Sequence, residues 1–356
     1  MPHAPDTRAP VPEAEAPQAL APQALAPEAP AQAPAPGSTA PDAPLLHVFV
    51  MGCSRGGTTL TQRLVAERLG LYTLPETRFF ASMIGNVDAH MFPDTQRPRP
   101  ALRRLTSQLR EVLGRSTGQE YEMAPELAAP QRPRWSPTRQ VTADFITCLD
   151  TLARDHGARG WLEKTPFHVH YARQIQRLVP DAWMVHIIRD ARQTVASIWD
   201  AAQRYADPWP IIYDRVERAV DNWNASTADA AAMVGRPRQV FIPYDTMAAH
   251  PQASMDVMAE MIAAETAGPG AAPPPAAGAR IDLTSGDEDW KRGAVSGDVR
   301  PAGSKWDKVL SEDEKARAAA MIRPVPPALA ARLAPFHDAV QIRVPQCRKR
   351  FRSSSR

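Results

Sequence analysis

The chain has 356 residues, with 42 lysines and arginines against 39 acids and a formal net charge of +3. That length suits one large α/β domain or two small ones, and so balanced a charge does not imply a nucleic-acid-binding field. The three cysteines, Cys53, Cys148 and Cys347, are odd in number and far apart, which gives no disulfide framework and no metal-ligand spacing and makes a reducing compartment the default.

Residues 1–44 are rich in proline and alanine and carry the direct repeat Ala16-Pro17-Gln18-Ala19-Leu20, Ala21-Pro22-Gln23-Ala24-Leu25. Few aromatic or β-branched residues occur there, so the segment cannot bury enough apolar surface to offset chain entropy and reads as a disordered, semi-extended tail. It has no basic stretch leading into an apolar one, and no run of about eighteen apolar residues follows anywhere. These features predict a soluble, cytoplasmic protein without a transmembrane segment.

Leu46–Val50 reads as a buried strand, and the helix after the next loop carries Leu60, Leu64, Val65 and Leu69 at helical spacing until Gly70 ends it. Tyr72–Leu74 predicts a short strand delivering Pro75-Glu76-Thr77-Arg78. Residues 91–139 are rich in arginine and proline, with one helical segment near Ala101–Leu113. Helical periodicity returns at Phe145, Ile146, Leu149 and Leu152. Trp161–Pro166 reads as a strand running into a loop, followed by a helix to about Val179. Ala182–Ile188 is a clear strand, after which Asp190 and Gln193 fit a helix capping box. A long helix is expected over Ile211–Met233 and a third strong strand over Gln239–Tyr244. Strands alternating with helices predict a P-loop-like, three-layer α/β domain with a mostly parallel central sheet. Ala267–Asp287, with Pro273-Pro274-Pro275, reads as a flexible surface insertion. A helix over Glu312–Met321 and a basic tail, Arg348-Lys349-Arg350-Phe351-Arg352, close the chain. The expected division is a tail over 1–44, one domain over 45–340 and a basic C-terminal tail over 341–356.

The chemistry starts at Gly52-Cys53-Ser54-Arg55-Gly56-Gly57-Thr58-Thr59. The spacing from Gly52 to Gly57 is that of a phosphate-binding loop, but the lysine that should follow Gly57 is Thr58. Such a loop offers backbone N–H groups and a helix N-terminus to an oxyanion, with hydroxyls from Thr58 and Thr59 and a bidentate cation from Arg55. An ordinary glycine-rich turn is the alternative. A nucleotide kinase would need the lysine and a carboxylate for Mg²⁺, yet the Ala182–Ile188 strand ends in Arg189. In a doubly wound sheet ligands bind beyond the carboxyl ends of the strands, so Arg55 and Arg189 belong to the binding edge and suit separate phosphate groups. A helix-flanking salt bridge to Asp190 is the competing role for Arg189.

Cys53–Leu60 resembles the 5′-phosphosulfate loop of sulfotransferases. Glu163-Lys164-Thr165-Pro166 with His168, and Ile187–Arg192 through Ser197, are similar to that family's central block and 3′-phosphate motif. Phe241–Asp245 with Pro251 resembles a segment whose Tyr244 would face an adenine, and Ser304-Lys305-Trp306 resembles a late loop over the 3′-phosphate. The resemblance spans residues 46–325, and the pair Arg55–Leu60 and Glu76-Thr77-Arg78 looks most like the branch containing tyrosylprotein sulfotransferases. It implies the co-substrate 3′-phosphoadenosine-5′-phosphosulfate (PAPS), no metal, and sulfuryl transfer to an acceptor hydroxyl or amine. By the same resemblance Arg55, Gly56, Gly57, Thr58 and Thr59 hold the 5′ end, Lys164 reaches the sulfuryl oxygens, and Arg189 and Ser197 take the 3′-phosphate. Glu76 is the first choice of base and His168 its rival. The late loop departs from the family pattern: Arg300 and Lys305 are chosen for their closeness to Trp306 over Lys291-Arg292-Gly293. Cys53 is expected to pack rather than react. The acceptor is left open between a peptide tyrosine, a sugar hydroxyl and a phenolic small molecule. A P-loop small-molecule kinase and an inactive nucleotide-binding scaffold are the competing readings.

Overall fold

The structure is a computed structural model and describes residues 44–84, 137–205, 209–267 and 305–353. The Arg300 assignment, the insertion after residue 267 and most of the arginine-rich stretch lie outside the described residues.

Five parallel strands form one sheet in the order β2-β3-β1-β4-β5. They are β1 (Leu46–Gly52), β2 (Tyr72–Thr73), β3 (Gly160–Lys164), β4 (Trp183–Ile188) and β5 (Gln239–Pro243). The central strands are apolar on both sides, as parallel strands covered on two faces must be. Val48, Val50, Val185, Ile187, Val240 and Ile242 enter one core, while Phe49, Met51, Met184 and Phe241 enter the other.

The first core is covered by α1 (Thr58–Leu69). The second is covered by α2 (Phe79–Ile84), α3 (Pro137–Asp155), α4 (Ala172–Leu178), α5 (Ala191–Arg204), α6 (Trp209–Ile212) and α7 (Val216–Ala231). Then α8 (Tyr244–Ala249) and α9 (Pro251–Ala267) return to the first. The chain closes with α10 (Trp306–Val309), α11 (Glu312–Met321) and α12 (Pro327–Ser353). These layers bear out the expected α/β fold.

Three elements differ from the sequence reading. The helix expected after Pro166 opens as a 3₁₀ turn over Pro166–Tyr171, which tucks His168, Val169 and Tyr171 inward before α4 begins. The long helix expected from Ile211 is two, α6 and α7, because Arg215 is extended (φ −150°, ψ 153°) and Tyr213 beside it is buried. Finally, α12 runs across residue 340, where the sequence suggested a tail would start, because Phe336 and Val340 are buried in the first core. By contrast, α11 matches its expected bounds, and its start carries a reciprocal capping box between Ser311 and Glu314. Among the described residues no helix is long and apolar enough to cross a membrane.

Candidate active site

The loops leaving the carboxyl ends of the strands meet at one edge of the sheet, on either side of β1, where the strand order reverses. The loop after β1 is shaped by backbone. Gly56 N–H donates to the Cys53 carbonyl at 3.0 Å, and Arg55 and Gly57 both take left-handed φ, 61° and 98°. A Cβ on Gly57 would lie 2.3 Å from the Tyr244 ring, so glycine is what lets that ring close onto the loop. No side chain caps the start of α1 at Gly57, which leaves its first-turn N–H groups and helix dipole facing the loop. Thr58 is buried and Thr59 half-buried at that start.

Arg189 leaves β4 into the same space. Its Nη1 donates to the Arg55 carbonyl at 3.1 Å and its guanidinium lies 4.6 Å from the Tyr244 ring centre. Among the described residues its buried Nε has no hydrogen-bond partner. The Arg55 guanidinium sits over Trp209 at 5.8 Å. Burial pulls the Arg55 pKa below its ordinary value, Arg189 adds to that, and Tyr205 and Asp200 oppose it. Two partly buried cations at the loop that leads into an uncapped helix make an edge that favours anions.

At the end of β3, Lys164 is buried and forms an ion pair with Glu76, whose side chain is 19% exposed. The two sequence motifs therefore meet: Thr77 donates through Oγ1 to Glu163 Oε1 at 2.8 Å, and Arg78 N–H donates to Thr165 Oγ1 at 3.1 Å.

Residues 47–266 match the model of the sulfotransferase family. The chain belongs to the sulfotransferase family. Among solved structures this sulfotransferase is similar to the sulfotransferase domain from the curacin biosynthetic pathway (12% identity, 81% of this chain and 95% of that one, TM-score 0.41). It is similar too to the sulfotransferase domain of the Synechococcus PCC 7002 olefin synthase (16% identity, 85% and 96%, TM-score 0.39). A third is a sulfotransferase from Alicyclobacillus acidocaldarius (13% identity, 68% and 87%, TM-score 0.37). No curated protein matches the chain.

The sulfotransferase brings its remaining expected residues to α5 or into the core. Asp190 Oδ1 accepts from Gln193 N–H at 2.9 Å, but the Gln193 side chain does not close the box; it accepts instead from Lys305 N–H at 3.4 Å. Ser197 is buried one turn further along α5. Lys305 Nζ pairs with Asp200, which also holds Arg204 Nε at 2.6 Å, and Arg192 lies 5.6 Å from the Trp306 ring centre. The late loop is thus fastened to α5. His168 is fully buried: its Nε2 accepts from Phe80 N–H at 3.3 Å and its Nδ1 faces Glu163 Oε2 at 2.9 Å. Burial pushes the Cys53 thiol up to about 12, against a hydrogen bond from Ser226, so it stays protonated at neutral pH and is no nucleophile.

Sequence reasoning missed Trp209 and Asp200, and named Glu163 in its motif without giving it a role. Asp200 had a weak sign, since it lies on the Ser197 face of α5 and four residues before Arg204. Trp209 had none, because its partner Arg55 is joined to it only by the fold.

Proposed function

We propose that this sulfotransferase takes its sulfuryl group from PAPS and passes it to an acceptor hydroxyl or amine, as in the branch containing tyrosylprotein sulfotransferases. The observation that carries the reading is the Arg189 guanidinium bonded to the backbone carbonyl of Arg55, within electrostatic reach of the Arg55 side chain, on the loop that leads into an uncapped helix start. These residues fit a nucleotide with two phosphate positions. Gly57 lets the Tyr244 ring lie against the loop where a Cβ would collide with it, and the buried Arg189 Nε, without a partner among the described residues, asks for an acceptor.

Bound PAPS supplies an activated sulfur–oxygen bond to a good leaving group, the 5′-phosphate. Arg55, Gly56, Gly57, Thr58 and Thr59 hold that phosphate and neutralise its growing charge. Lys164 serves the sulfuryl oxygens. Arg189 and Ser197 take the 3′-phosphate, with Lys305 and Arg300 from the late loop, and Tyr244 sits beside the adenine. The acceptor oxygen or nitrogen bonds to sulfur as the sulfur–phosphate oxygen bond breaks, and the acceptor proton passes to Glu76. Glu76 is preferred to His168 because both ring nitrogens of His168 are engaged inside the core. The acceptor is a small molecule, glycan or peptide, and the buried, separate thiols Cys53 and Cys148 suit a cytoplasmic enzyme.

Thermal unfolding with adenosine 3′,5′-bisphosphate or with ATP–Mg²⁺ tests the reading. At a hundred times Kd the bisphosphate stabilises by about 2.7 kcal/mol, which is a rise of roughly several degrees for a domain this size. A rise with ATP–Mg²⁺ alone would mean a kinase, and no rise with either an inactive scaffold.

A further inference from the structure

A carboxylate shut away from solvent is costly, and an apolar side chain of similar size often fills such a place with equal or better stability. Glu163 is 0% exposed in β3, opposite Phe49 of β1. Its Oε1 accepts from Thr165 Oγ1 at 2.7 Å, Thr77 Oγ1 at 2.8 Å and Thr77 N–H at 3.3 Å. Its Oε2 lies 2.9 Å from His168 Nδ1, within ion-pair distance but without the alignment of a hydrogen bond. Burial pushes the Glu163 carboxyl up, yet His168 beside it and the donors of Thr165 and Thr77 leave it below the ordinary carboxylate range. Because His168 Nε2 accepts from Phe80 N–H, the hydrogen-bond network assigns the ring proton to Nδ1, facing the carboxylate.

What this cluster grips is the Glu76–Arg78 loop and the first turn of α2 that follows it. The N–H groups of Thr77, Arg78 and Phe80 end on Glu163, Thr165 and His168 respectively. Arg78 sits at φ 51°, a left-handed conformation that a non-glycine residue keeps when its surroundings fix it. The residue that this grip delivers is Glu76, paired with Lys164.

We propose that Glu163 and His168 are positioning residues for sulfuryl transfer, holding the Glu76–Arg78 loop on β3 so that the Glu76 carboxylate stays at Lys164. The proposal rests on Glu76 being the base. Neither residue touches the reacting atoms; each acts through the loop, where a misplacement of about 1 Å costs on the order of a hundredfold in rate.

The test is single-turnover desulfation of labelled PAPS, with water as acceptor, alongside titration with adenosine 3′,5′-bisphosphate. Glu163→Gln and Thr77→Val should each slow desulfation by about ten- to a hundredfold while bisphosphate affinity stays within about twofold. Thr77→Ser, which keeps the hydroxyl, should restore a near wild-type rate. In a Glu76→Gln background, Glu163→Gln should cost nothing more, since its effect runs through Glu76. Normal rates for Glu163→Gln and Thr77→Val beside a slow Glu76→Gln would overturn the proposal, as would losses that multiply in the double variant. If Glu76→Gln is itself as fast as wild type, the base assignment fails and takes the proposal with it. Should Glu163→Gln not fold, the Thr77 pair decides by the same rates.

Discussion

At one end of the site, around Gly57, the shape comes from backbone, and the two cations Arg55 and Arg189 lean on aromatic rings and a carbonyl. At the other end, Lys164 already pairs with Glu76, above the buried carboxylate of Glu163 and its ring of donors. At the first end neither cation has an ion-pair partner within contact distance among the described residues, an arrangement that suits an incoming anion. At the second the charges are matched among themselves, and a substrate must compete with a partner in place. The difference separates binding from chemistry: residues of the glycine loop should set affinity, and residues around Glu163 should set rate.

The largest effect should come from the rate end. Lys164→Met is expected to lower turnover by about a hundred- to a thousandfold with bisphosphate affinity little changed; a loss under tenfold would erase the division. Next comes acid stability. His186 is buried within β4 beside Gln239 and Phe241, and burial lowers its pKa from 6.5 to about 4. A depressed histidine gives stability that is full above pH 6.5 and fades as pH falls towards 4, here about 3 kcal/mol. Glu163, also depressed, contributes above its ordinary value of 4.5 and loses that contribution only below it. Acid unfolding should thus show two windows: His186→Gln flattens the upper and Glu163→Gln the lower. A single window unmoved by either variant would mean that the rate end is not anchored as described.

At the affinity end, Gly57→Ala meets the Tyr244 ring at a left-handed φ, so it should cost about 1–2 kcal/mol of stability. It should also weaken adenosine 3′,5′-bisphosphate about tenfold or more, the equivalent of about 1.4 kcal/mol. Calorimetric titration checks this, and unchanged affinity would show that the ring and loop separate freely. The smallest effect belongs to Lys305→Ala. Its ion pair with Asp200 is 38% exposed on the lysine side, so denaturant unfolding should register less than about 1 kcal/mol. A larger loss would make the late loop part of the core.

The same contrast governs what the sequence discloses. The glycine loop is local, and its six-residue spacing with Arg55 inside could be read directly, as could the apolar runs of β1, β4 and β5. The Glu163 cluster joins residues 86 apart, Thr77 and Glu163, and nothing local marks a glutamate in a strand as a hub for a distant loop. His168 shows the same limit: a histidine after a lysine motif suits a base until burial assigns both its nitrogens. The breaks between α6 and α7, and the reach of α12, were hidden for a related reason. Burial of Tyr213, Phe336 and Val340 decides them, and burial is a property of the assembled layers.

That last helix has a consequence for how the protein is made. Val48 and Val50 of β1 share one core with Phe336 and Val340 of α12, while Leu329 of the same helix enters the other. The contacts that join α12 to β5 close a long loop, and a loop that must close before its contacts form slows folding. A nascent chain emerging from the ribosome can therefore assemble its sheet but cannot finish covering β5 until α12 has been synthesised. Until then apolar surface along the β5 edge of the sheet stays open, and a chain stalled short of residue 340 is the form that chaperones and proteases would meet.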